Sequence, residues 1–360
     1  MRTLVISDLH LGARTGVGVL HRPVPLAALV AALDGVDRLV LLGDMIELRQ
    51  GPAREALAAA RPVLEAIGAA MRGHEIVVVP GNHDHGIARP WLEDHPGLGL
   101  EERIALADAS ALGAQLADAL GPAELAYPGL WLRDDVYATH GHYLDVHGTV
   151  PSFERIGAGL MTKLAGAPPR EGATPADYEA ILAPIYAWID AAAARAGEGR
   201  RAAGAGRSSQ AWAALSGTGR SSVRRRALIA GFPLGIAAIN RAGLGPVKAN
   251  LSGPALRRGL LDGLKAALHR LGIDAPHVLF GHTHRTGVLD ADDPAEWRAG
   301  TTQLHNTGSW VYERHFVAGG GPSAPHWPGG AIEVGAQGPP VLHRLLGELT
   351  PDELRQPDPR

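Results

Sequence analysis

The feature that most constrains the fold is a recurring alternation between short apolar runs and longer helical segments. Five runs, each followed by a turn rich in Gly, Asp, Asn or His, are Thr3–Ser7, Arg38–Leu42, Glu75–Pro80, Asp135–Thr139 and His277–Phe280. Continuous Val, Ile and Leu runs of this length are typical of strands buried on both faces. Ala- and Leu-rich segments such as Pro25–Leu33 and Arg54–Met71 predict helices between them. The alternation predicts an α/β fold.

A long interruption divides this alternation. After Thr139 the strand pattern resumes only at His277, and mostly Ala-rich helical sequence and loops lie between. Because strands return afterwards, an insertion into one core fits better than a separate downstream domain. We expect a core of residues 1–148 and 270–350, a basic helical insertion or cap at 149–269, and a flexible tail at 351–360.

The charge of the chain is concentrated in the insertion. The formal net charge is -3, yet residues 199–261 hold eleven basic residues and no acidic ones, so the rest of the chain carries -14 once these eleven charges are removed from the total. This segment is either a solubilising arginine surface or a docking surface for substrate phosphate, nucleic acid or acidic lipid. Arg224, Arg225 and Arg226 precede the apolar run Ala227–Ile239, which fits either a buried lid helix or an interfacial membrane contact.

Composition limits both the compartment and the chemistry. The chain has no cysteine, which excludes disulfide scaffolds, thiolate metal sites and cysteine nucleophiles. Any metal site must therefore use His, Asp, Glu or Asn. No signal peptide is visible, and the apolar run Ala227–Ile239 has 13 residues, too few to span a bilayer. We expect a cytoplasmic protein, with peripheral attachment to the inner face of the membrane as the alternative.

Each of the five predicted strands leads into a polar cluster. The clusters are Asp8-Leu9-His10-Leu11-Gly12, Gly43-Asp44-Met45-Ile46-Glu47, Gly81-Asn82-His83-Asp84, Thr139-His140-Gly141-His142 and Gly281-His282-Thr283-His284. A single His or Asp after a strand is usually a cap or a surface group. In α/β sheets, however, ligands gather beyond the carboxyl ends of strands. Five such clusters in one chain predict a shared site.

The residue types in these clusters point to metal-assisted chemistry at phosphorus. Oxygen and imidazole ligands suit Mn, Fe, Zn, Co or Ni. Alternate residues of an extended segment point to the same side, so Asp8 and His10 could bind one ion, and His282 and His284 have the same spacing. A carboxylate such as Asp44 has two oxygens and could bridge two ions. Two metals about 3.5–4 Å apart are a recurrent device for in-line displacement at phosphorus.

In this order the five clusters resemble the signature of the calcineurin-like metallophosphoesterase superfamily. The pattern is Asp-x-His, Gly-Asp, Gly-Asn-His-Asp/Glu, a His after a strand, and Gly-His-x-His, and the resemblance covers about 1–148 and 270–345. It implies a four-layer α/β/β/α sandwich of two mixed sheets, with a dinuclear metal centre at one edge. The insertion would form a cap on this core.

The resemblance also implies a ligand set. One metal would be held by Asp8, His10, Asp44 and His284, and the other by Asp44, Asn82, His140 and His282. Asp44 would bridge the two ions. Manganese is expected first, with Fe, Zn, Co or Ni as alternatives.

Further roles follow for the residues beside these ligands. A metal-bridging hydroxide would be the nucleophile. His83 would stabilise the phosphate in the transition state or protonate the leaving oxygen, and Asp84 would fix its tautomer. For Glu47, His142 and Asp145, an indirect contact with the metals, a substrate contact and a purely structural role stay open.

The style of the motifs is similar to that of the UDP-diacylglucosamine pyrophosphatase branch of the superfamily. That branch carries a helical insertion over the site and touches membranes through basic and apolar residues. The chain departs from it at His140-Gly141-His142, where the branch tends to have His-Gly-Asp. The substrate of the branch is therefore not assigned to this chain.

The sequence predicts a dinuclear metal-dependent phosphohydrolase that cleaves a phosphodiester or pyrophosphate bond in an anionic, phosphate-containing substrate. One alternative is a nuclease, which the basic insertion favours and the aromatic content of 5% disfavours. Another is a peripheral membrane hydrolase of a lipid-linked pyrophosphate, with Arg224, Arg225 and Arg226 as contact residues. A non-catalytic scaffold is disfavoured because no expected ligand is missing.

Overall fold

The computed structural model describes residues 1–149, 169–195, 241, 253–317 and 320–354. Thirteen strands lie in these ranges: β1 Thr3–Ile6, β2 Arg38–Leu42, β3 Glu75–Val79, β4 Glu102–Ala105, β5 Glu124–Tyr127, β6 Gly129–Arg133, β7 Val136–Thr139, β8 His277–Phe280, β9 Thr286–Gly287, β10 Arg298–Ala299, β11 Thr302–Thr307, β12 Gly330–Val334 and β13 Val341–Arg344. The described helices are α1 Pro23–Ala32, α2 Ala53–Ala70, α3 Arg89–Asp94, α4 Leu106–Ala109, α5 Ala111–Leu120, α6 Leu144–His147, α7 Pro175–Arg195, α8 Gly253–Leu271 and α9 Arg314–Val317, with short 3-10 turns at His85–Ile87 and Gly321–Ser323.

The strands form two mixed sheets. The seven-stranded sheet has the order β13-β12-β1-β2-β3-β5-β4, in which β1, β2, β3 and β5 are parallel and the other pairs are antiparallel. The second sheet has the order β10-β11-β8-β7-β6, with β9 paired to β11; its β7–β8 and β8–β11 pairs are parallel. The predicted α/β class with two mixed sheets is confirmed.

Alternation along the strands explains how the core is built. Successive side chains of a strand point to opposite faces. In β2, Val40 and Leu42 join an apolar cluster that also contains Leu130 and Leu279 from the second sheet. Leu39 and Leu41 instead pack in a cluster that includes residues of α1, α2 and α5. The seven-stranded sheet is therefore covered by helices on one face and by the second sheet on the other, while the predicted fourth layer stays a prediction.

The chain divides into two compact units. The first comprises residues 1–141, 189–202 and 275–360, and the second comprises 142–188 and 203–274. In the second unit, the Tyr143 and Tyr178 rings stack with centroids 4.7 Å apart, and the Tyr143 hydroxyl donates to Glu179 Oε1 at 2.6 Å. The predicted boundaries of the insertion and tail stay predictions, because much of 149–269 and the residues after Leu354 lie outside the described ranges. Within those ranges, no helix has the length and apolarity needed to cross a membrane.

Candidate metal centre

The five polar clusters meet at the carboxyl ends of neighbouring strands. β1, β2 and β3 are adjacent in one sheet, and β7 and β8 are adjacent in the other. Three triplets of side chains have donor atoms within 4.8 Å of one another: Asp8, His10 and His284; His10, Asp44 and His83; and Asp44, His140 and His282. The structure thus brings together the side chains that the sequence assigned to a metal centre, all of them in the first unit.

The first group gathers around the Asp8 carboxylate. Asp8 Oδ1 lies 3.3 Å from His284 Nε2 and 4.0 Å from His10 Nε2. The two imidazole Nε2 atoms are themselves 3.0 Å apart. Asp44 Oδ2 lies 3.7 Å from His10 Nε2, so the second carboxylate borders this group.

The second group gathers on the other side of Asp44. Its Oδ2 lies 3.4 Å from His140 Nε2. Asn82 Oδ1 is 3.2 Å from His140 Nε2 and 3.0 Å from His282 Nδ1. The same carboxylate oxygen of Asp44 therefore faces both groups, which is the placement expected of a bridging ligand.

The donor set fits metal ions. His140 Nδ1 donates to the carbonyl oxygen of Leu42 at 2.9 Å, which leaves the Nε2 lone pair of the neutral ring facing the centre. His10 Nδ1 likewise lies 3.1 Å from Glu47 Oε2. Asp8 Oδ1 is buried and has no hydrogen-bond partner among the described residues. Since an unpaired buried carboxylate oxygen is costly, a cation suits this position.

Electrostatics lead to the same conclusion. Burial alone would raise the pKa of Asp44, but the charges of His140 and His83 hold that pKa well below its ordinary range. Burial alone would lower the pKa of His10, but the Glu47 hydrogen bond and the Asp44 charge raise it to about 9. Burial alone would also lower the pKa of His140, but the charge of Asp44 and its hydrogen bond raise that pKa to about 9. The carboxylates thus attract protons onto the rings, and a metal ion would replace those protons.

The backbone at these ligands is strained. Among the described residues, the non-glycine residues with positive φ are Asp8 at 55°, His10 at 44°, Asp44 at 51°, His282 at 65° and His284 at 54°. This left-handed region is disfavoured for residues with a Cβ, and such strain clusters at functional sites. The prediction of an extended segment at Asp8 and His10 is therefore wrong, although His10 Nε2 does lie 4.0 Å from Asp8 Oδ1.

Two motif glycines leave room for the ligands. A Cβ atom at Gly43, where φ is 86°, would lie 2.1 Å from His140 Nδ1. A Cβ atom at Gly281 would lie 2.5 Å from Asp8 Oδ2 and 2.3 Å from Ser7 Oγ. Real Cβ atoms do not approach other atoms so closely, so side chains at these positions would displace the ligands.

Glu47, and not Asp84, makes the contact with His83 that the sequence predicted for Asp84. The Glu47 carboxylate lies 2.9 Å from His83 Nδ1 and also bonds His10, so it orients a predicted ligand and the predicted catalytic histidine together. Asp84 instead accepts backbone N–H groups of Gly81 at 2.6 Å and Met45 at 2.7 Å, which fixes two ligand loops. The prediction that Asp84 sets the His83 tautomer is wrong, because its oxygens are aimed at the backbone. Burial, with the charge of Asp44, raises the pKa of Asp84 to about 6.

The sequence also predicted roles for His142, Asp145, Arg224, Arg225 and Arg226. His142 and Asp145 belong to the second unit, where His142 is buried with its ring 4.8 Å from that of Tyr143 and 5.9 Å from that of Tyr186. Their predicted contacts with metal or substrate stay predictions. Arg224, Arg225 and Arg226 lie outside the described residues.

Sequence reasoning missed a buried polar network behind the ligands. Ser7 Oγ bonds Asp8 Oδ2 and lies 2.6 Å from Thr307 Oγ1. Asn306 Nδ2 donates to Gly281 O at 3.1 Å and to Thr283 Oγ1 at 2.8 Å. The side chains of Ser7, Asn306 and Thr307 are buried, and their hydrogen bonds tie β11 to the loops that carry Asp8 and His282. The available signal was the run Asn306-Thr307-Gly308-Ser309, which follows the last of the five polar clusters in the chain.

Comparison with known proteins agrees with the motifs. Residues 1–163 match the family model of the calcineurin-like phosphoesterases. That stretch contains four of the five motifs and ends before His282 and His284, which the fold brings to the same site. The resemblance to this family that the motifs indicate is therefore confirmed over residues 1–163.

A solved structure of a dimetal phosphatase from Danio rerio is similar over 95% of this chain and 98% of its own length, with 12% identity and a TM-score of 0.34. A likeness at that level carries no argument about fold or function. No curated protein matches the chain.

Proposed function

We propose that this protein hydrolyses a phosphodiester or pyrophosphate bond, using two metal ions held by Asp8, His10, Asp44, Asn82, His140, His282 and His284. The observation that carries this proposal is the position of Asp44 Oδ2, 3.7 Å from His10 Nε2 in one group and 3.4 Å from His140 Nε2 in the other. Manganese is the first expectation, because carboxylate, amide and imidazole ligands accept it among several borderline ions.

The chain's own side chains supply orientation and protons. When bound, the two metals lower the pKa of water to give a nucleophile near neutral pH and screen the charge of the phosphoryl group. Glu47 engages His83 Nδ1, so Nε2 of the same ring is left to donate a proton to the leaving oxygen or a hydrogen bond to a phosphoryl oxygen. The His83 side chain is 26% exposed, so it can reach a substrate from the centre's edge.

The Asp44→Asn variant tests the proposal. In metal-replete protein, hydrolysis of a bis-aryl phosphodiester should fall at least about a hundredfold, because the bridging charge is lost. The exposed Asp34→Asn serves as a matched control and should retain the wild-type rate. A wild-type rate for Asp44→Asn would overturn the site assignment.

The bond cleaved is a separate question. A panel of monoesters, diesters and nucleotide-sugar pyrophosphates should show hydrolysis of diesters or pyrophosphates above monoesters. A chain that cuts only monoesters would contradict the proposed substrate class. Cleavage of single- or double-stranded DNA or RNA would favour the nuclease alternative.

A peripheral membrane role rests on the basic segment 199–261, which lies largely outside the described residues. If that segment attaches the protein to anionic lipid, the full chain should float with anionic vesicles and not with neutral ones. Equal flotation with anionic and with neutral vesicles would rule out the membrane alternative.

A further inference from the structure

A chain of two buried hydroxyl groups leads to the Asp8 carboxylate. Ser7 Oγ donates to Asp8 Oδ2 and lies 2.6 Å from Thr307 Oγ1. Both residues are buried, so solvent does not supply a substitute donor at either hydroxyl. Ser7 directly follows β1, and Thr307 is the last residue of β11. The fold therefore places a hydroxyl pair from two different strands directly behind a predicted metal ligand.

The ionised Asp8 carboxylate sets the direction of this chain. A carboxylate without a proton only accepts hydrogen bonds, and a hydroxyl has one proton to donate. The Ser7 proton goes to Asp8 Oδ2, because a bond to a charged acceptor is stronger than one to a neutral acceptor. The competing carbonyl oxygen of Gly308 is farther from Ser7 Oγ, at 3.2 Å. Ser7 Oγ then accepts from the Thr307 hydroxyl, whose other acceptor, the Phe280 carbonyl oxygen, is 3.3 Å away.

The same carboxylate oxygen has a second donor. The backbone N–H of His282 donates to Asp8 Oδ2 at 3.0 Å. Oδ2 thus accepts two hydrogen bonds, whereas Oδ1 has no hydrogen-bond partner among the described residues and lies 3.3 Å from His284 Nε2. One oxygen of Asp8 is therefore held by the protein, and the other faces the metal centre.

The backbone of Asp8 is fixed as well. Its N–H donates to the carbonyl oxygen of Gly43 at 3.0 Å, and its own carbonyl oxygen accepts from the Trp310 N–H at 3.0 Å. The freedom that remains is rotation of the carboxylate about its side-chain bonds, which the Ser7 hydroxyl and the His282 N–H oppose. Hydrogen bonds of this kind orient the residues that bind a metal and tune their affinity for it.

We propose that Ser7 and Thr307 are positioning residues for the metal ion at Asp8. The Ser7 hydroxyl holds Oδ2 so that Oδ1 is presented to the ion, and the Thr307 hydroxyl keeps Ser7 in that orientation. This inference rests on the proposed function, because it requires Asp8 to bind one of two ions. The hydroxyl chain ends at a predicted ligand of one ion and not of the other, so the two ions should respond differently.

The first test is the affinity of the metal-free full chain for each Mn²⁺ ion, measured by titration with electron paramagnetic resonance. In Ser7→Ala the affinity for one ion should fall about 10–100-fold, the usual effect of removing a partner of a metal ligand, and the affinity for the other should stay at the wild-type value. At a Mn²⁺ concentration that fills both wild-type sites, the variant should show isolated Mn²⁺ instead of a coupled pair. Equal weakening of both ions, as a general loss of structure would give, would overturn the proposal, and so would unchanged affinity for both.

Thr307 allows a graded test. Thr307→Val keeps the shape and removes the hydroxyl, so affinity for the same ion should fall about three- to tenfold, less than in Ser7→Ala, because one neutral hydrogen bond is lost. Thr307→Ser keeps the hydroxyl and should recover most of that affinity. Thr302→Val is the matched control, since Thr302 is also buried but is the first residue of β11, and it should leave both affinities unchanged. Equal effects of Thr302→Val and Thr307→Val would overturn the role of the Thr307 hydroxyl.

A double variant identifies the ion that Ser7 affects. His284→Gln removes a predicted ligand of the ion at Asp8. In that background, Ser7→Ala should not weaken binding of the remaining ion, because the two changes act on the same site. A further loss of affinity for the remaining ion would overturn the assignment of Ser7 to the ion at Asp8.

If Ser7→Ala does not fold, the comparison of Thr307→Val with Thr307→Ser carries the test. Wild-type affinities in the folded hydroxyl variants would overturn the positioning role alone. A wild-type rate of diester hydrolysis in Asp44→Asn would instead overturn the proposed function.

Discussion

In the strands that lead to the metal centre, the strand itself (the strand body) and the residues just past its carboxyl end (the strand end) differ sharply in side-chain polarity and backbone conformation. Within β1, β2 and β8, the residues Val5, Val40 and Leu279 are buried in the apolar cluster shared by the two sheets. Just past those strands, Asp8 and His282 take the left-handed backbone, and their side chains lie among other ligands. The regular bodies provide the stability, and the strained ends hold the charged groups.

The well-packed strand bodies explain how the folded protein tolerates an energetically unfavourable site at the strand ends. Left-handed backbone at non-glycine residues, buried carboxylates and facing imidazoles are each unfavourable. Their cost is offset by the packing of the strands and, on this account, by bound metal. A change in a strand body should therefore lower stability and spare the chemistry, while a change at a strand end should do the reverse.

The largest expected effect is at a strand end. Gly43→Ala places a Cβ atom 2.1 Å from His140 Nδ1 and should lower phosphodiester hydrolysis at least about a hundredfold, measured as kcat/KM in metal-replete protein. Gly73→Ala is a matched control, since Gly73 has φ of 85° and nothing within 4 Å of its Cβ position. It should lose about 1 kcal/mol of stability and keep its activity. Equal loss of activity in both variants would contradict the steric argument.

In a strand body the effect should fall on stability. Leu41 is buried between the seven-stranded sheet and its helices, and Leu41→Ala should lower the free energy of unfolding by about 2–5 kcal/mol through the cavity left behind. Urea denaturation measures this loss. At urea concentrations where the variant is still folded, its kcat should stay within about twofold of the wild-type value. A hundredfold fall in kcat would mean that a change in a strand body also disturbs the metal centre.

Removal of metal should lower the thermal stability of the protein, because the strand ends are unfavourable without a bound cation. A ligand that binds only the folded state at a hundredfold excess over its Kd stabilises it by about 2.7 kcal/mol. Chelation should therefore lower the thermal midpoint of the wild type, and re-addition of Mn²⁺ should restore it. In Asp44→Asn the midpoint should respond less to chelation. An unchanged wild-type midpoint would show that the folded chain holds no stabilising metal.

A smaller effect is expected far from the site, at the histidine pair of β8 and β11. His277 Nδ1 lies 3.1 Å from His305 Nε2, and burial together with the charge of His277 lowers the pKa of His305 to about 4. The folded state then binds fewer protons than the unfolded state, so stability is present above pH 6.5 and is lost as the pH falls toward 4. Between pH 7.5 and pH 5 the loss should be about 1–2 kcal/mol by urea denaturation. His305→Gln should reduce this slope, and an identical slope in the variant would contradict the assignment.

The strand bodies were predictable because their signal is local. A run of Val, Ile and Leu closed by a turn placed β1, β2, β3, β7 and β8 to within one residue at each end. By contrast, β4 with the sequence Glu-Arg-Ile-Ala and the two-residue β9 and β10 carry no such signal. Their pairing depends on neighbours that are distant in the sequence.

The residue types at the strand ends could be predicted from the sequence, but their contacts and backbone conformation could not. Parallel strands bring their carboxyl ends to one edge, which is enough to gather the ligands. Spacing alone does not show that Glu47 bonds His83 while Asp84 bonds the backbone of Gly81, because Asp84 is the sequence neighbour of that histidine and Glu47 lies 36 residues from it. Nor does it show left-handed backbone at Asp8 and His10, which the surrounding packing imposes.

The most direct test of this account is the number of metal ions bound per chain. Protein dialysed against Mn²⁺ and then freed of unbound metal should contain two ions per chain by elemental analysis, and Asp44→Asn should contain one or fewer. Two ions retained by Asp44→Asn, or one or none in the wild type, would contradict a dinuclear centre bridged by Asp44.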